Sequence, residues 1–378
     1  TKERILIIMA RNRVIYQSEA LFVNKDASLE TGYNQMERVQ SANYSFTINR
    51  QDINQYGQLG KLDSIILDAP TVTADASYYL TDGFTERVLG FAVATGENAD
   101  HIRVGFISGM LADGSGRNLI VLTTPEGTDA DLPVRAAQNA ANSAIGIGNC
   151  YLSDYSVDMS VGSIPTVSVS WDALNINSDN NGTTYASPAI TVADRESVGR
   201  TTKLPDPVTG VGNIAALRPG NIVVGISNFE SETLVDIGTD TEGAHIQSAS
   251  LNIPMSRSTL ERLGSKSAYA RSVDFPIVAS ISVSAIVNEV VAQNLADIID
   301  DEVEKDITLT LKNDAGVAAV LYTLKGCTFD SESISSSIGS NKSVDLTFST
   351  SVGGPADTGH GVFMSGISHA AVFDQNGK

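Results

Sequence analysis

The feature that most constrains this chain is that it repeats itself. Residues 40–50 read QSANYSFTINR, and 207 positions later residues 247–257 read QSASLNIPMSR. The match runs on to Gly57 and Gly264, with Ile53 answering to Leu260. A Pro-led alternating segment follows each copy, at 70–80 and 276–287. A second pair of blocks, 149–157 and 326–334, keeps an offset of 177 and aligns Cys150 with Cys327. That offset carries through 160–163 and 337–340 into 167–171 and 344–348. The blocks hold their order in both halves, and the two offsets differ by 30 residues. One ancestral unit, duplicated, with an insertion of that size in the first copy, explains both offsets. Lengthening a loop is cheap, at about 0.6 kcal/mol per doubling.

Each block alternates with a period of two, the pattern of a half-buried strand. Tyr44, Phe46 and Ile48 are expected to point inward while Ser45, Thr47 and Asn49 point out. Leu251, Ile253 and Met255 follow the same rule, as do Val167, Val169 and Trp171, then Val344, Leu346 and Phe348, and Ile281, Val283 and Ala285. Gly162 and Gly339 introduce turns, because glycine takes positive φ cheaply. Pro254 lacks a backbone donor, which puts it at an edge or a bulge. Residues 287–304 break the pattern: Val287, Val291, Leu295, Ile298 and Ile299 fall at helical spacing, with 132–144 as the counterpart in the first copy.

The expected fold is therefore mainly β: two tandem antiparallel β-sandwich or partial-barrel domains, each with an accompanying α-helix. Residues 1–175 form the first domain, with an insertion near 86–130. Residues 176–220 form a connector with loops, including Asn/Gly- and Pro/Gly-rich runs at 178–184 and 198–220. Residues 221–378 form the second domain. Its Gly-rich stretch at 351–361 precedes a short apolar strand at 362–367.

Composition narrows the function. A length of 378 residues suits two or three domains, and 42% hydrophobic against 18% charged residues indicates a globular chain. A net charge of −19 argues against a protein that grips nucleic acid through its phosphates. Two cysteines cannot build a disulfide framework, and with four histidines they leave little for structural zinc. Cys150 and Cys327, at equivalent positions in two copies, are expected a domain width apart, as small buried hydrophobes. The longest apolar runs, such as 5–10, are far short of the ~20 residues a membrane helix needs. The amino-terminal residues show no apolar core followed by a small-residue cleavage site, so no secretory signal is expected.

Catalytic motifs are absent. Residues 210–215 match a dinucleotide fingerprint by letters, but they follow a Pro-rich loop rather than a buried parallel strand. No nucleophile elbow, HExxH or P-loop occurs. His101, His245, His360 and His369 are scattered without metal-ligand spacing. Asp297, Asp300, Asp301, Glu302 and Glu304 lack the Gly-centred spacing of a calcium loop and read as the wet face of the helix. No catalytic residue, cofactor site or metal site is expected, and the chain is expected not to be an enzyme.

At these same blocks the chain resembles the tail tube proteins of long-tailed bacteriophages. The resemblance rests on 150–171 (CYLSDYSVDMSVGSIPTVSVSW), its partner at 327–348 (CTFDSESISSSIGSNKSVDLTF), and the strand and loop of 41–57 (SANYSFTINRQDINQYG). It covers about half of the chain. The usual tube subunit has one such domain and is shorter, whereas this chain has two, with a long connector and an insertion.

The resemblance implies rings of six domains whose inner sheets join into one barrel, stacked into a tube that conducts DNA without binding it specifically. A two-domain chain would close such a ring as a trimer with pseudo-sixfold symmetry. Sheath, tape-measure, baseplate and neck proteins are the implied partners. The implied location is the virion, after assembly in the host cytoplasm. Two other readings stand beside it: a receptor-binding or decoration β-sandwich of a virion or cell surface, and a single-ring terminator or neck protein.

Overall fold

The structure, a computed structural model, describes residues 14, 19–24, 32–66, 70–95, 105–111, 116–126, 128–130, 142–180, 182, 184–191, 196–205, 217–226, 235–236, 245–264, 268, 270–290, 304–314, 316–339, 341–354 and 357–367. Alternating small polar and apolar residues give strands almost throughout. The first repeat contributes β1 (Glu19–Asn24), β2 (Tyr33–Gln35), β3 (Val39–Thr47), the hairpin β4 (Arg50–Ile53) and β5 (Asp63–Ile66), and β6 (Thr71–Tyr79). After it come α1 (Phe84–Leu89), β7 (Val93–Thr95), α2 (Ser108–Leu111), β8 (Arg117–Thr123), β9 (Ser143–Ser160) and β10 (Thr166–Ala173). β11 (Asn175–Asp179), β12 (Tyr185–Ala186), β13 (Thr201–Thr202), β14 (Ile222–Ile226) and β15 (Val235–Asp236) lead on. The second repeat runs through β16 (Ile246–Pro254), the hairpin β17 (Arg257–Leu260) and β18 (Ala270–Val273), β19 (Ile277–Ile286) and β20 (Glu289–Val290). β21 (Lys305–Lys312), β22 (Ala318–Ser335), β23 (Ser343–Val352) and β24 (Gly361–Gly366) follow.

The repeats agree in strand register as well as in letters. β3 meets β6 with Tyr44 opposite Ala74, and β16 meets β19 with Leu251 opposite Ile281, so both partners move by the same 207 positions. β10 meets β9 with Val167 opposite Val157, and β23 meets β22 with Val344 opposite Ile334, an offset of 177 on both sides. Even the irregularities recur. One extra residue sits at Gln40 and again at Gln247, and another at Ser153 and again at Asp330. The hairpins agree too, with Gln51 opposite Ile65 and Ser258 opposite Ser272. The turns are set by glycine: Gly162 and Gly339 have φ of 85° and 89°, in the region that side chains disfavour.

The two repeats share one sheet. Its order is β3-β6-β10-β9-β16-β19-β23-β22, and the contact between β9 and β16 joins the first repeat to the second. β9 and β22 each serve two layers. The first half of β9 pairs with β8 and β11 before the second half enters the eight-stranded sheet, and the first half of β22 pairs with β21 and β24. β7, from the first repeat, adds in parallel to β24 of the second. All other pairings are antiparallel among the described strands. The main core is a single apolar cluster that includes Trp171, Tyr155, Leu251, Ile281 and Phe348.

Most inward assignments hold: Leu251, Ile253, Met255, Val167, Val169, Trp171, Val344, Leu346, Phe348, Ile281, Val283 and Ala285 are all buried. Tyr44, Phe46 and Ile48 depart from expectation and are exposed. Tyr44 and Phe46 share a sheet face with Ala74 and Val72, which are buried, but β3 is the edge strand, and no further strand pairs with its outer side among the described residues. Pro254 sits at the exposed last position of β16, past the end of the ladder to β19 but still opposite Asp154 of β9.

The accompanying helices are not borne out. Glu289–Val290 is strand β20, paired with β15, so strand pairing overrides helical spacing there, while 291–303 lies outside the described residues. Ser143 and Ala144 open β9, and 132–141 likewise lies outside the described residues. The described α-helices are α1, of six residues, and α2, of four. Part of the expected connector is packed rather than free: a Cβ at Gly148 would strike the Pro188 carbonyl.

Candidate assembly interface

The junction between repeats is a strand ladder with a buried apolar side. Ser248 lies opposite Ser160, Leu251 opposite Val157, Ile253 opposite Tyr155 and Pro254 opposite Asp154. Beyond the ladder, the Met255 N–H donates to the Ser153 carbonyl at 2.8 Å, and the Val161 N–H to that of Gln247 at 2.9 Å. On the wet side Ser250 donates to the Asp158 carboxylate at 2.6 Å. The second repeat's hairpin then clasps the first repeat. Arg257 Nε donates to the Leu152 carbonyl at 3.3 Å. The Arg257 and Arg271 guanidinium groups lie 5.4 and 5.7 Å from the Tyr151 ring centre. Such cation–π contacts contribute about 0.5–1 kcal/mol each at partly exposed sites.

A polar knot is buried against this junction. Tyr78 Oη donates to Glu86 Oε1 at 2.8 Å, Tyr155 Oη lies 3.4 Å from the same oxygen, and Tyr155 and Tyr322 Oη are 2.7 Å apart. Three strands from both repeats and helix α1 are thus joined in one hydrogen-bonded chain, with Tyr322 reaching the Glu86 carboxyl through Tyr155. Burial pushes the Glu86 carboxyl up to about 7, against hydrogen bonds from Tyr78 and Tyr155 that lower it. Burial also raises the three phenols well above their ordinary range. Phe91 and Phe106 stack with centroids 4.1 Å apart, and both meet Tyr155 edge-on. Nearby, β24 passes so close to the chain at Asp82 that a Cβ on Gly366 would overlap the Asp82 carbonyl oxygen.

Among the described residues, both ends of the eight-stranded sheet are open: β3 pairs only with β6, and the second half of β22 only with β23. At one end Tyr44, Phe46 and Ile48 expose 38, 58 and 38% of their surface, and at the other Ile334 exposes 40%. Their repeat counterparts at the internal junction, Leu251, Ile253, Met255 and Val157, expose 0, 0, 2 and 0%. The same residue positions are therefore covered once within the chain and uncovered once. The hairpin tips also differ from a solvated loop in composition: Tyr56, Leu59 and Leu263 are fully exposed.

One face of the sheet is polar and carries no positive charge. Residues 41–47, 71–79, 154–160, 166–172, 248–254, 277–286, 331–335 and 343–352 contain no Lys or Arg. The polar residues of that face include Asp75, Asp154, Asp158, Asp172 and Asp345 beside serines and threonines. Many are tied across strands: Ser41 to Ser77 at 2.7 Å, Asn43 to Asp75 at 2.7 Å, Ser45 to Thr73 at 2.9 Å and Ser335 to Ser343 at 2.6 Å. Partial burial raises the Asp154 carboxyl above its usual range.

Among the described residues, the sequence candidates for chemistry stay apart except for His360 and Glu304, and no three of His, Cys, Asp or Glu gather as a metal site would need. Cys150 and Cys327 are buried free thiols. Burial raises both, Cys327 to about 12. The His245 carbonyl accepts the Ile286 N–H at the edge of the β16–β19 ladder. His360 lies on an exposed loop, 3.4 Å from the Glu304 carboxylate and 3.6 Å from that of Asp357. His101, His369, Asp297, Asp300, Asp301, Glu302 and residues 210–215 lie outside the described residues. Sequence reasoning missed Glu86 and the Arg257–Tyr151 contact. The only available signal for the second was that Arg50 and Arg257 align in the repeat.

No protein-family model matches the chain, and no curated protein matches it. Among solved structures, the chain has a slight likeness to a component of the anti-feeding prophage baseplate, at 13% identity and a TM-score of 0.24, covering 39% of this chain and 93% of that one. It has a like similarity to the tube-terminating cap of the anti-feeding prophage, at 14% identity and a TM-score of 0.28, covering 42% of this chain and 99% of that one.

Proposed function

We propose that the protein is a structural subunit of a phage-tail-like particle, and that three chains close a ring of six repeats which stacks into a tube. Residues 1–175 and 221–378 are then the two tube-like units and 176–220 the connector. The observation that carries the reading is the strand order itself. A four-strand unit, β3-β6-β10-β9, is followed in the same sheet by its repeat, β16-β19-β23-β22, leaving two unlike open edges. Open edges demand partners, and a closed ring satisfies every one of them. A head-to-tail contact that repeats the internal junction continues the same progression, and the pairing closes when the rotation per unit divides a full turn.

The polar face supports a conduit. With no Lys or Arg and five aspartates per chain, it repels phosphate over about a Debye length, ~10 Å at moderate salt. Ser45, Thr47, Asp345 and Thr347 belong to this wall. The fully exposed apolar tips Tyr56, Leu59 and Leu263 favour stacking over a solitary ring, because water-facing apolar side chains gain from a further contact. Sheath, tape-measure, baseplate and neck proteins are the partners this reading implies. Negative-stain microscopy of the purified protein tests it: hollow tubes or stacked rings are expected, and a monodisperse monomer at high concentration overturns it.

A further inference from the structure

We infer, resting on the ring reading, that β3 of one chain adds to β22 of the next in a register copied from the internal β9–β16 ladder. The two repeat offsets, 207 and 177, carry each internal pair onto the open edges. Leu251 opposite Val157 becomes Tyr44 opposite Ile334 of the neighbouring chain. Ala249 opposite Met159 becomes Ala42 opposite Ser336, and Ile253 opposite Tyr155 becomes Phe46 opposite Glu332. The contacts beyond the ladder transfer as well. The Met255 N–H bond to Ser153 becomes an Ile48 N–H bond to the Asp330 carbonyl, and the Arg257 clasp becomes Arg50 on the Phe329 carbonyl.

Shape supports a second copy of this chain as the occupant of these edges. The bulges that bend β16 and β9 at Gln247 and Ser153 recur on β3 and β22 at Gln40 and Asp330, so the open edges carry the same local twist as the paired ones. Register is fixed because β6 already holds Tyr44 and Phe46 on the apolar face, and a slip by one residue would set them opposite wet-face residues of β22 such as Ser333 and Ser335. The exposed apolar residues on the two edges, Tyr44, Phe46, Ile48 and Ile334, become covered in this one arrangement. The new seam is more polar than the internal one, with Glu332 where Tyr155 stands and Ser336 where Met159 stands. It is therefore the joint that parts first when a ring dissociates.

Paired cysteines read the register. Directly opposed strand residues are about 4.5–5.5 Å apart at Cα, within disulfide range, whereas diagonal neighbours two residues on are about 7–8 Å apart. The native thiols are buried and do not compete. The double variants Tyr44→Cys with Ile334→Cys, and Ala42→Cys with Ser336→Cys, are oxidised mildly and run on a denaturing gel. Both are expected to give covalent dimers and trimers at least ten-fold more efficiently than the shifted pairs Tyr44→Cys with Ser336→Cys and Tyr44→Cys with Glu332→Cys. Equal or better cross-linking of a shifted pair overturns the register. So do three-chain rings, seen by native mass spectrometry before oxidation, that fail to cross-link in either matched pair, though the ring then stands. A chain that stays monomeric in that measurement overturns both the ring and the ladder.

Discussion

The phenolic oxygens of Tyr155 and Tyr322 lie 2.7 Å apart, and that single contact ties a strand of the first repeat to a strand of the second. Glu86 lies 3.4 Å from Tyr155 and 2.8 Å from Tyr78, so the repeats meet around a titratable group with no access to water.

That burial sets a pH dependence. The Glu86 carboxyl is raised to about 7 in the folded chain from an ordinary 4.5. The folded state therefore keeps a proton that the unfolded chain has released, and stability falls as pH rises through this window. Its contribution is full below about pH 4.5 and is lost by about pH 7, at about 3 kcal/mol in total. Urea unfolding at pH 5 and pH 8 checks this. Glu86→Gln should flatten the wild-type decline, and parallel profiles for the two proteins would contradict it.

Core and edge aromatics should separate stability from assembly. Phe348 is fully buried, 5.4 Å from the Phe329 ring, so Phe348→Ala should cost about 3–5 kcal/mol of unfolding free energy. Phe46 lies on the open edge, and Phe46→Ala should shift the single chain's stability by no more than about 0.5 kcal/mol. The same change should weaken assembly at least ten-fold by light scattering. A large stability loss in Phe46→Ala would mean that β3 is covered within the chain.

The clasp between repeats offers two further changes. Gly366→Ala pushes a methyl into the Asp82 carbonyl, where the neighbour is backbone and cannot swing away, so it should destabilise by about 1–3 kcal/mol. Arg257→Ala removes a hydrogen bond and one ring contact and should cost about 1 kcal/mol. Chemical denaturation of both variants reads these values, and Gly162→Ala, in open space with φ of 85°, calibrates the cost of backbone strain alone.

The polar wall predicts how DNA behaves. Wild-type assemblies should not retard double-stranded DNA on a gel even at low salt. Asp172→Lys with Asp345→Lys should create binding that weakens steeply as salt rises, the mark of phosphate contact. Retention of DNA by the wild-type protein would show that this face is not a repelling surface.

What the letters revealed and what they hid follow one physical divide. The offsets of 207 and 177 came from side chains alone, and register, bulges and hairpins all obey them, because alternation and turn glycines are local properties. The ladder between β9 and β16, and the parallel pair β7–β24, join residues far apart in sequence, and periodicity carries no information on such partners. Tyr44 and Phe46 show the same limit: alternation assigned their face correctly, but whether a face is covered depends on the next strand, which the chain supplies only once. The expected helix at 287–304 met the opposite fate where it is described, since Glu289 and Val290 pair with β15. Glu86 gave no signal, because an isolated Glu in a short helix looks solvated until the fold closes over it.

Native mass spectrometry of the smallest assembled species tests the duplication-to-ring argument most directly. Under the proposed ring, in which each chain would bring two of six staves, three chains per closed particle are expected. A closed ring of six chains, or a stable particle of any number not divisible by three, would contradict it.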